Sequence, residues 1–395
     1  MSLERFKDKA LRVISEFRDR SAEEVILIHH DDADGLASAA IIKASIEREG
    51  CHVRTLCLEK PYPEVIKSIH EGYDKIIFYV DIGSSHADLI SNLNMGRNLT
   101  IILDHHDPRP SNDPKLYDLN LEHYGFRGEE DFSGATICYL FSKLMSEKNI
   151  DLSYLALVGS CEIPGEFRGV NKLVLEEAIS NGVVQIRRGK ARIVKFGLSV
   201  DNLFSKLQIL GPVGYYENGP AIGISVCLNG LTKDAKRKID ELEIRRKRIN
   251  KMLLAKLYRE RLNETDHIQW FDAGDMYAGM GSKVIGQFCS FLSYQRRLIK
   301  PDKFILGIMN LQDEIPSWGK LKRRLVKASV RVPRELRRLI DEGKAPSAVD
   351  LLVRASEGFG MADGHVYAAS VVLPAEKKKT LIDNAEEVVK YSIKP

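Results

Sequence analysis

VILIHHDDADGLASAA, running from Val25 to Ala40, joins an apolar run to a dense cluster of histidines and aspartates. Its four leading aliphatic residues, Val25 to Ile28, predict a short strand buried on both faces. The strand delivers His29, His30, Asp31, Asp32 and Asp34; Gly35 then turns the chain, and Leu36 to Ala44 open an alanine-rich helix. Side chains at the carboxyl end of such a strand point into the crevice where open α/β sheets bind their ligands. Isolated buried carboxylates are prohibitively costly. The cluster is therefore either solvated in a loop or gathered around a cation.

The pattern recurs. Lys75 to Val80 (KIIFYV) predicts a second buried strand ending on Asp81, and Leu99 to Leu103 (LTIIL) a third ending on Asp104-His105-His106-Asp107. Three apolar strands, each closing on carboxylates or imidazoles, suit manganese or magnesium better than structural zinc, which favours Cys and His. At this point His30-Asp31-Asp32-Ala33-Asp34-Gly35, Asp81 and Asp104-His105-His106 resemble the first three motifs of the DHH phosphoesterase superfamily. Within it, the chain resembles the archaeal RecJ-like single-strand exonucleases over nearly its whole length. The resemblance implies that His30, Asp32, Asp34, Asp81 and His105 bind one or two Mn2+ or Mg2+ ions. Asp81 would bridge them, with Asp81, Asp104, His105 and His106 as the catalytic set.

Composition sets outer bounds. The chain's 395 residues suffice for more than one domain. With 44% hydrophobic and 29% charged residues it reads as globular, and no apolar run approaches the roughly 18–20 residues of a membrane span. Cys51, Cys57, Cys138, Cys161, Cys227 and Cys289 form no CxxC pair and mostly sit in apolar context, as in a reduced cytoplasmic protein. The 59 basic and 55 acidic residues leave a formal charge of only +4, so any nucleic-acid surface must be local.

From Leu3 to about Lys195, strands and helices alternate as in a doubly wound parallel sheet, and Ser133 is placed to cap the helix SGATICYLFSKLM. Next comes Ala156-Leu157-Val158-Gly159-Ser160-Cys161-Glu162-Ile163. There the family's fourth motif carries an Asp, at the position of Ile163 or, with a one-residue slip, of Glu162. An isoleucine cannot ligate metal, which leaves one ion, or two with Glu162 or Glu166 as the longer substitute. Val183 to Val194 predicts a basic hairpin turning at Gly189, Phe196 to Leu231 predicts short helices and turns, and Thr232 to Glu264 predicts one long connecting helix.

A second α/β lobe begins at His267. Ser329-Val330-Arg331 and Gly364-His365, with Ala368-Ala369, resemble the strand and glycine-rich loop of the DHH-associated domain. That resemblance implies that Ser329, Arg331, Gly364 and His365 hold a substrate phosphate, as guanidinium and exposed backbone N–H groups do. In the family's loop, the positions of Met361, Ala362 and Asp363 are usually glycine. The expected organisation is thus a parallel-sheet DHH domain over 1–195, a connector with the long helix over 196–265, and a smaller α/β DHH-associated domain over 266–395. The expected activity is end-wise hydrolysis of single-stranded DNA or RNA in replication or repair. Arg187, Arg188, Lys190, Lys320, Lys322, Arg323 and Arg324 would extend the strand path, with sparse stacking from Tyr215, Tyr216 and Trp318. The alternatives are a replication scaffold bound to the GINS complex, or a phosphodiesterase of short oligonucleotides.

Overall fold

Phe6, Ala10, Val13, Ile14 and Phe17 share one face of Leu3–Asp19 (α1) and are buried, while charged residues cover the other face. The computed structural model describes residues 2–128 and 130–392. The chain divides into two compact units. One comprises Met1–Gly211, Asn218–Ile239 and Pro316–Trp318; the other comprises Pro212–Glu217, Asp240–Ile315 and Gly319–Pro395.

In the first unit, Glu24–His29 (β1), Ala33–Arg48 (α2), His52–Cys57 (β2), Pro63–His70 (α3), Ile76–Val80 (β3), Ala87–Asn94 (α4), Leu99–Leu103 (β4) and Leu116–Asp118 (β5) alternate as expected. The strands form a five-stranded, all-parallel sheet in the order β2-β1-β3-β4-β5. All of β3 and β4 is buried, so these strands need no polar alternation; each such aliphatic or aromatic side chain contributes about 1.5–3 kcal/mol of burial. Because β1 lies between β2 and β3, the direction of winding reverses there. The chain emerging from β1 and β3 therefore opens onto the switch-point crevice.

Gly134–Met145 (α5) starts on the predicted cap, with the Ser133 side chain accepting from Thr136 N–H. It packs with α2 and with Ser153–Ser160 (α6). After Gly169–Ser180 (α7), the strands Val184–Arg187 (β6), Lys190–Ile193 (β7) and Leu198–Ser199 (β8) make a small antiparallel sheet with the predicted hairpin turn. The next segment differs from expectation: Val200–Gly214 (α8) and Gly219–Asn229 (α9) are substantial helices. Their glycines mark close packing, since a Cβ on Gly211 would overlap Asp31 O and one on Gly223 would lie 2.7 Å from Leu36. The long helix, Lys233–Glu260 (α10), stops short of Glu264, because Asn263–Glu264 (β9) pairs antiparallel with Ile268–Asp272 (β10).

In the second unit, Lys283–Leu292 (α11), Phe304–Asn310 (β11), the short pair Glu314–Ile315 (β12) and Gly319–Lys320 (β13), Leu325–Arg331 (β14), Arg334–Asp341 (α12) and Ala348–Ala355 (α13) follow. Met361–His365 (β15), Ala368–Pro374 (β16) and Lys378–Ser392 (α14) complete the chain. The six-stranded sheet runs β15-β16-β14-β11-β10-β9. On β14, Val326, Ala328 and Val330 join the core with α13 and α14, leaving Lys327, Ser329 and Arg331 on the opposite face. No helix among the described residues is long and apolar enough to cross a membrane.

One buried histidine ties the first sheet to its helices. His70 Nδ1 donates to Asn94 Oδ1 (2.8 Å), and the Tyr79 hydroxyl lies 2.9 Å from Nε2. Burial pulls the His70 pKa down to about 4. The unfolded chain therefore binds this proton more readily than the folded one. Stability is whole above the unfolded value near 6.5 and falls as the pH drops towards about 4. Going from pH 7 to pH 5, the wild type should lose about 2 kcal/mol more stability than His70→Gln. Urea denaturation at the two pH values measures this, and equal losses would contradict it.

Candidate metal centre

Each of the parallel strands β1, β3 and β4 runs out of apolar residues at the same edge of the sheet and there presents its polar side chains. Asp32 caps α2 by accepting from Gly35 N–H at 2.9 Å. Gly35 does not turn the chain, contrary to the sequence expectation. It is the third residue of α2, and a Cβ there would come within 2.5 Å of His30 O. Glycine thus lets the helix start directly against the His30 backbone. Asp81 adopts a left-handed conformation (φ 56°) immediately after β3, with its N–H held by Leu103 O at 2.9 Å. Strain of this kind concentrates where a side chain must be aimed.

The described residues place two groups of potential ligands together, and they share Asp81. One is His30, Asp32 and Asp81; the other is Asp81, Asp104, His105 and His106. His30 Nδ1 lies 3.0 Å from Asp32 Oδ2 and 3.6 Å from Asp81 Oδ2. His105 Nε2 lies 3.4 Å from Asp81 Oδ1 and 3.8 Å from Asp34 Oδ2. Asp32, Asp34, Asp81 and Asp104 are all essentially buried. His30 Nδ1 and Asp81 Oδ1 have no hydrogen-bond partner, although carboxylate and imidazole atoms surround them. Convergence without hydrogen-bond geometry is the signature of ligands aimed at a common point.

His105 makes the case sharper. Its Nδ1 faces the Gly128 carbonyl at 3.1 Å and must donate to it. Burial and the neighbouring His106 lower its pKa, which favours the neutral ring. A neutral ring protonated on Nδ1 turns the Nε2 lone pair towards the Asp81 and Asp34 oxygens. A cation between them removes that conflict, and the hydrogen-bonded opposite nitrogen is how ligating histidines are oriented.

The carboxylates divide by environment. Burial raises the Asp34 pKa, despite N–H bonds from Gly134 and Ala135, both at 2.8 Å, at the start of α5. Burial likewise raises Asp81, reinforced by the fields of Asp34, Asp32, Asp104 and Glu162. Burial also works to raise Asp104, but His106, His105 and the Ser84 N–H prevail and hold it below the usual carboxylate range. Asp104 is therefore the ionised anchor: His106 Nδ1 lies 2.7 Å from its Oδ1, and Ser84 N–H bonds its Oδ2 at 2.9 Å. Hard oxygen and imidazole donors without thiolate fit manganese or magnesium.

Several participants were hidden from sequence reading: Gly128 O, Ser84, and the N–H groups of Gly134 and Ala135. The capping Ser133 was the one signal that a helix N-terminus stood nearby. Glu162, exposed just beyond α6, acts on Asp81, whereas Ile163 is half-buried.

In the second unit, Ser329 and Arg331 lie on β14, and Gly364 and His365 on β15, with β16 between them. The register aligns Arg331 with Ala368 and Ala368 with His365. The expected glycine-rich loop is a strand, because ladder pairing with β16 satisfies its backbone. A Cβ on Gly364 (φ 140°) would overlap Ala369, so that glycine serves close strand approach. His365 is exposed. The Arg331 guanidinium donates to Ser290 Oγ and Val330 O, both at 2.8 Å, and burial lowers its pKa. Ser329 Oγ is buried without a hydrogen-bond partner. A guanidinium bonded to neutral groups beside an unsatisfied hydroxyl suits an anion. Tyr215 is fully buried and cannot stack on a base, which corrects that expectation.

Residues 24–160 match the DHH family, N-terminal domain. By sequence, no curated protein matches the chain. The structure is similar to RecJ in complex with Mn2+ from Thermus thermophilus (TM-score 0.65, 17% identity), covering 100% of this chain and 56% of that one. The chain thus spans little more than half of that relative. It is also similar to an exonuclease RecJ bound to manganese (TM-score 0.62, 17% identity, 98% and 94% covered). A third similar structure is CDC45 from Entamoeba histolytica (TM-score 0.52, 8% identity, 97% and 98% covered). These likenesses establish a shared fold.

Gly159 supplies a test of the packing around Asp34. A Cβ at this position of α6 would overlap Asp34 Oδ1 and lie 2.6 Å from Ala135 Cβ. Gly159→Ala should cost roughly 1–3 kcal/mol of stability, the usual cost of overpacking, and weaken manganese binding by about tenfold, or ~1.4 kcal/mol. Denaturation and titration calorimetry read both effects; unchanged values would show that Asp34 is not held in place by this contact.

Proposed function

Because residues 24–160 form a DHH-family N-terminal domain within a RecJ-like fold, we propose that the chain is a manganese- or magnesium-dependent phosphodiesterase that shortens single-stranded nucleic acid from an end. The observation that carries this reading is Asp81, a buried carboxylate shared by both ligand groups, with Oδ1 unpaired 3.4 Å from His105 Nε2. His30, Asp32 and Asp81 would hold one ion, and Asp81, His105 and Asp34 a second. When bound, a pair of divalent cations neutralises charge developing on phosphate oxygens and lowers the pKa of the attacking water.

The chain's own groups do the rest. Asp104, kept ionised, fixes His106 with its proton on Nδ1. The Nε2 lone pair of that imidazole can then accept a proton from the attacking water and return it to the departing oxygen. Arg331 and Ser329 take a phosphate of the substrate, and His365 on the aligned rung adds a further donor. The Mn2+ and Mg2+ named for the RecJ structures support the choice of metal. A second reading, a replication scaffold docking on GINS with little catalysis, draws support from Ile163 at the fourth-motif position and from the CDC45-like fold.

End-labelled single-stranded DNA and RNA, incubated with manganese, decide between these readings. The wild type should shorten the strand stepwise. Asp81→Ala should lower the rate by at least about 10³-fold, ~4 kcal/mol of barrier, while keeping its far-ultraviolet circular dichroism. Absence of cleavage by the wild type favours the scaffold, and full activity in Asp81→Ala refutes the metal assignment.

A further inference from the structure

A cavity of about 680 Å³ opens in the first unit between α1 and the segment following Asp104-His105-His106. Arg5, Lys9 and Arg12 line it from one face of α1, Arg109 lines it from the loop, and His123 and Tyr124 close its side. The spacing of five, nine and twelve along α1 brings those three cations onto successive turns of one helix face. All four cationic residues are exposed. Among the described residues, no carboxylate comes within ion-pair distance of Arg5, Lys9 or Arg12. Lys9 reaches only the Asp118 backbone carbonyl, at 3.4 Å. Arg109 has one exposed carboxylate contact, Asp88, at 3.4 Å.

Two acids share the lining, Asp8 and Asp118. Asp118 is buried and already engaged: its Oδ1 accepts from Ser84 Oγ (2.9 Å) and Asn120 N–H (3.2 Å), and its Oδ2 faces His123 Nε2 at 3.1 Å. Four cations against two lining carboxylates, with Arg109 also paired to Asp88, leave the cavity net positive through Arg5, Lys9 and Arg12, in a chain whose overall charge is nearly balanced.

The cavity is also wired to the metal centre. Ser84 donates its N–H to Asp104 Oδ2 and its hydroxyl to Asp118, and its carbonyl accepts from Arg109 N–H at 2.9 Å. Asn120 Nδ2 donates to His106 O at 2.7 Å. The same short loops therefore position both the Asp104–His106 pair and the cationic lining.

We propose that this cavity is a subsite for the phosphate backbone of the single strand, holding nucleotides beyond the one presented to the metal centre. The inference rests on the phosphodiesterase reading and deepens it, by assigning the surface that holds the strand beyond the scissile nucleotide. Each phosphate held would release condensed counterions, with a slope of about 0.7 in log affinity against log salt per phosphate on single strands.

The test compares the wild type, the triple variant Arg5→Gln/Lys9→Gln/Arg12→Gln, and Arg109→Gln. Fluorescence anisotropy with manganese present, over a salt series, follows binding of a phosphorothioate twenty-nucleotide strand; hydrolysis of a dinucleotide is measured beside it. The triple variant should bind the strand at least about tenfold more weakly, with its salt slope reduced by about 2. Arg109→Gln should give a smaller change in the same direction. Dinucleotide hydrolysis and manganese stoichiometry should be unchanged in both. Strand binding with wild-type affinity and slope in the triple variant would overturn the subsite. So would equal loss of dinucleotide hydrolysis, which would mark a general disturbance of the metal centre. If the wild type ignores the strand but binds polyglutamate through these residues, the cavity is a docking site for an acidic protein and the proposal falls. If the strand is bound through the cavity but neither the dinucleotide nor an unmodified strand is cleaved, the subsite stands and the phosphodiesterase reading fails.

Discussion

Carboxylates gathered and buried at one edge of a parallel sheet govern how everything around them is built. Asp32, Asp34, Asp81 and Asp104 are almost wholly withdrawn from water, and a fold can sustain that only by surrounding them with donors or cations. The protein does part of this itself. Gly35 N–H serves Asp32, the first N–H groups of α5 serve Asp34, and Ser84 and His106 serve Asp104. Asp81 is left with an unpaired buried oxygen and an elevated pKa. That oxygen belongs to the one side chain common to both groups of potential ligands.

The architecture follows from that need. A parallel sheet presents all its strand ends at one edge, so β1, β3 and β4 deliver their polar residues side by side. The reversal of winding between β1 and β3 clears room above them. Helix starts supply positive potential where it is wanted, and α5 aims its first N–H groups at Asp34. Glycines at 35, 134 and 159 then remove the Cβ atoms that would hold α2, α5 and α6 away from His30, Asp81 and Asp34.

Much of this was legible because it is local. Apolar runs ending in HHDDAD, Asp81 and DHH mark the strands and the candidate ligands, and Ser133 announces the helix that holds Asp34. What escaped sequence reading depends on distant partners. Gly35 reads as a turn until α2 is seen to start against the His30 carbonyl. The glycine-rich run from Gly358 to Gly364 reads as a loop until β16 supplies a ladder for its second half. The glycines between Gly211 and Gly230 suggest broken helices, yet Gly211 and Gly223 are where helices press against Asp31 and Leu36. Tyr215 looks available for stacking, but its burial is decided by packing that no local pattern encodes. The family's fourth motif is the remaining case: Ile163 breaks the pattern, while Glu162, one residue earlier, acts on Asp81.

As proposed, Asp81 joins two cation sites into one centre. The electron paramagnetic resonance spectrum of the chain at saturating manganese tests it most directly. Two ions bridged by Asp81 predict the broad, exchange-coupled signal of a manganese pair, at two ions bound per chain. The sharp hyperfine pattern of isolated manganese, unchanged up to saturation, would show that Asp81 does not bridge two ions and would contradict the account.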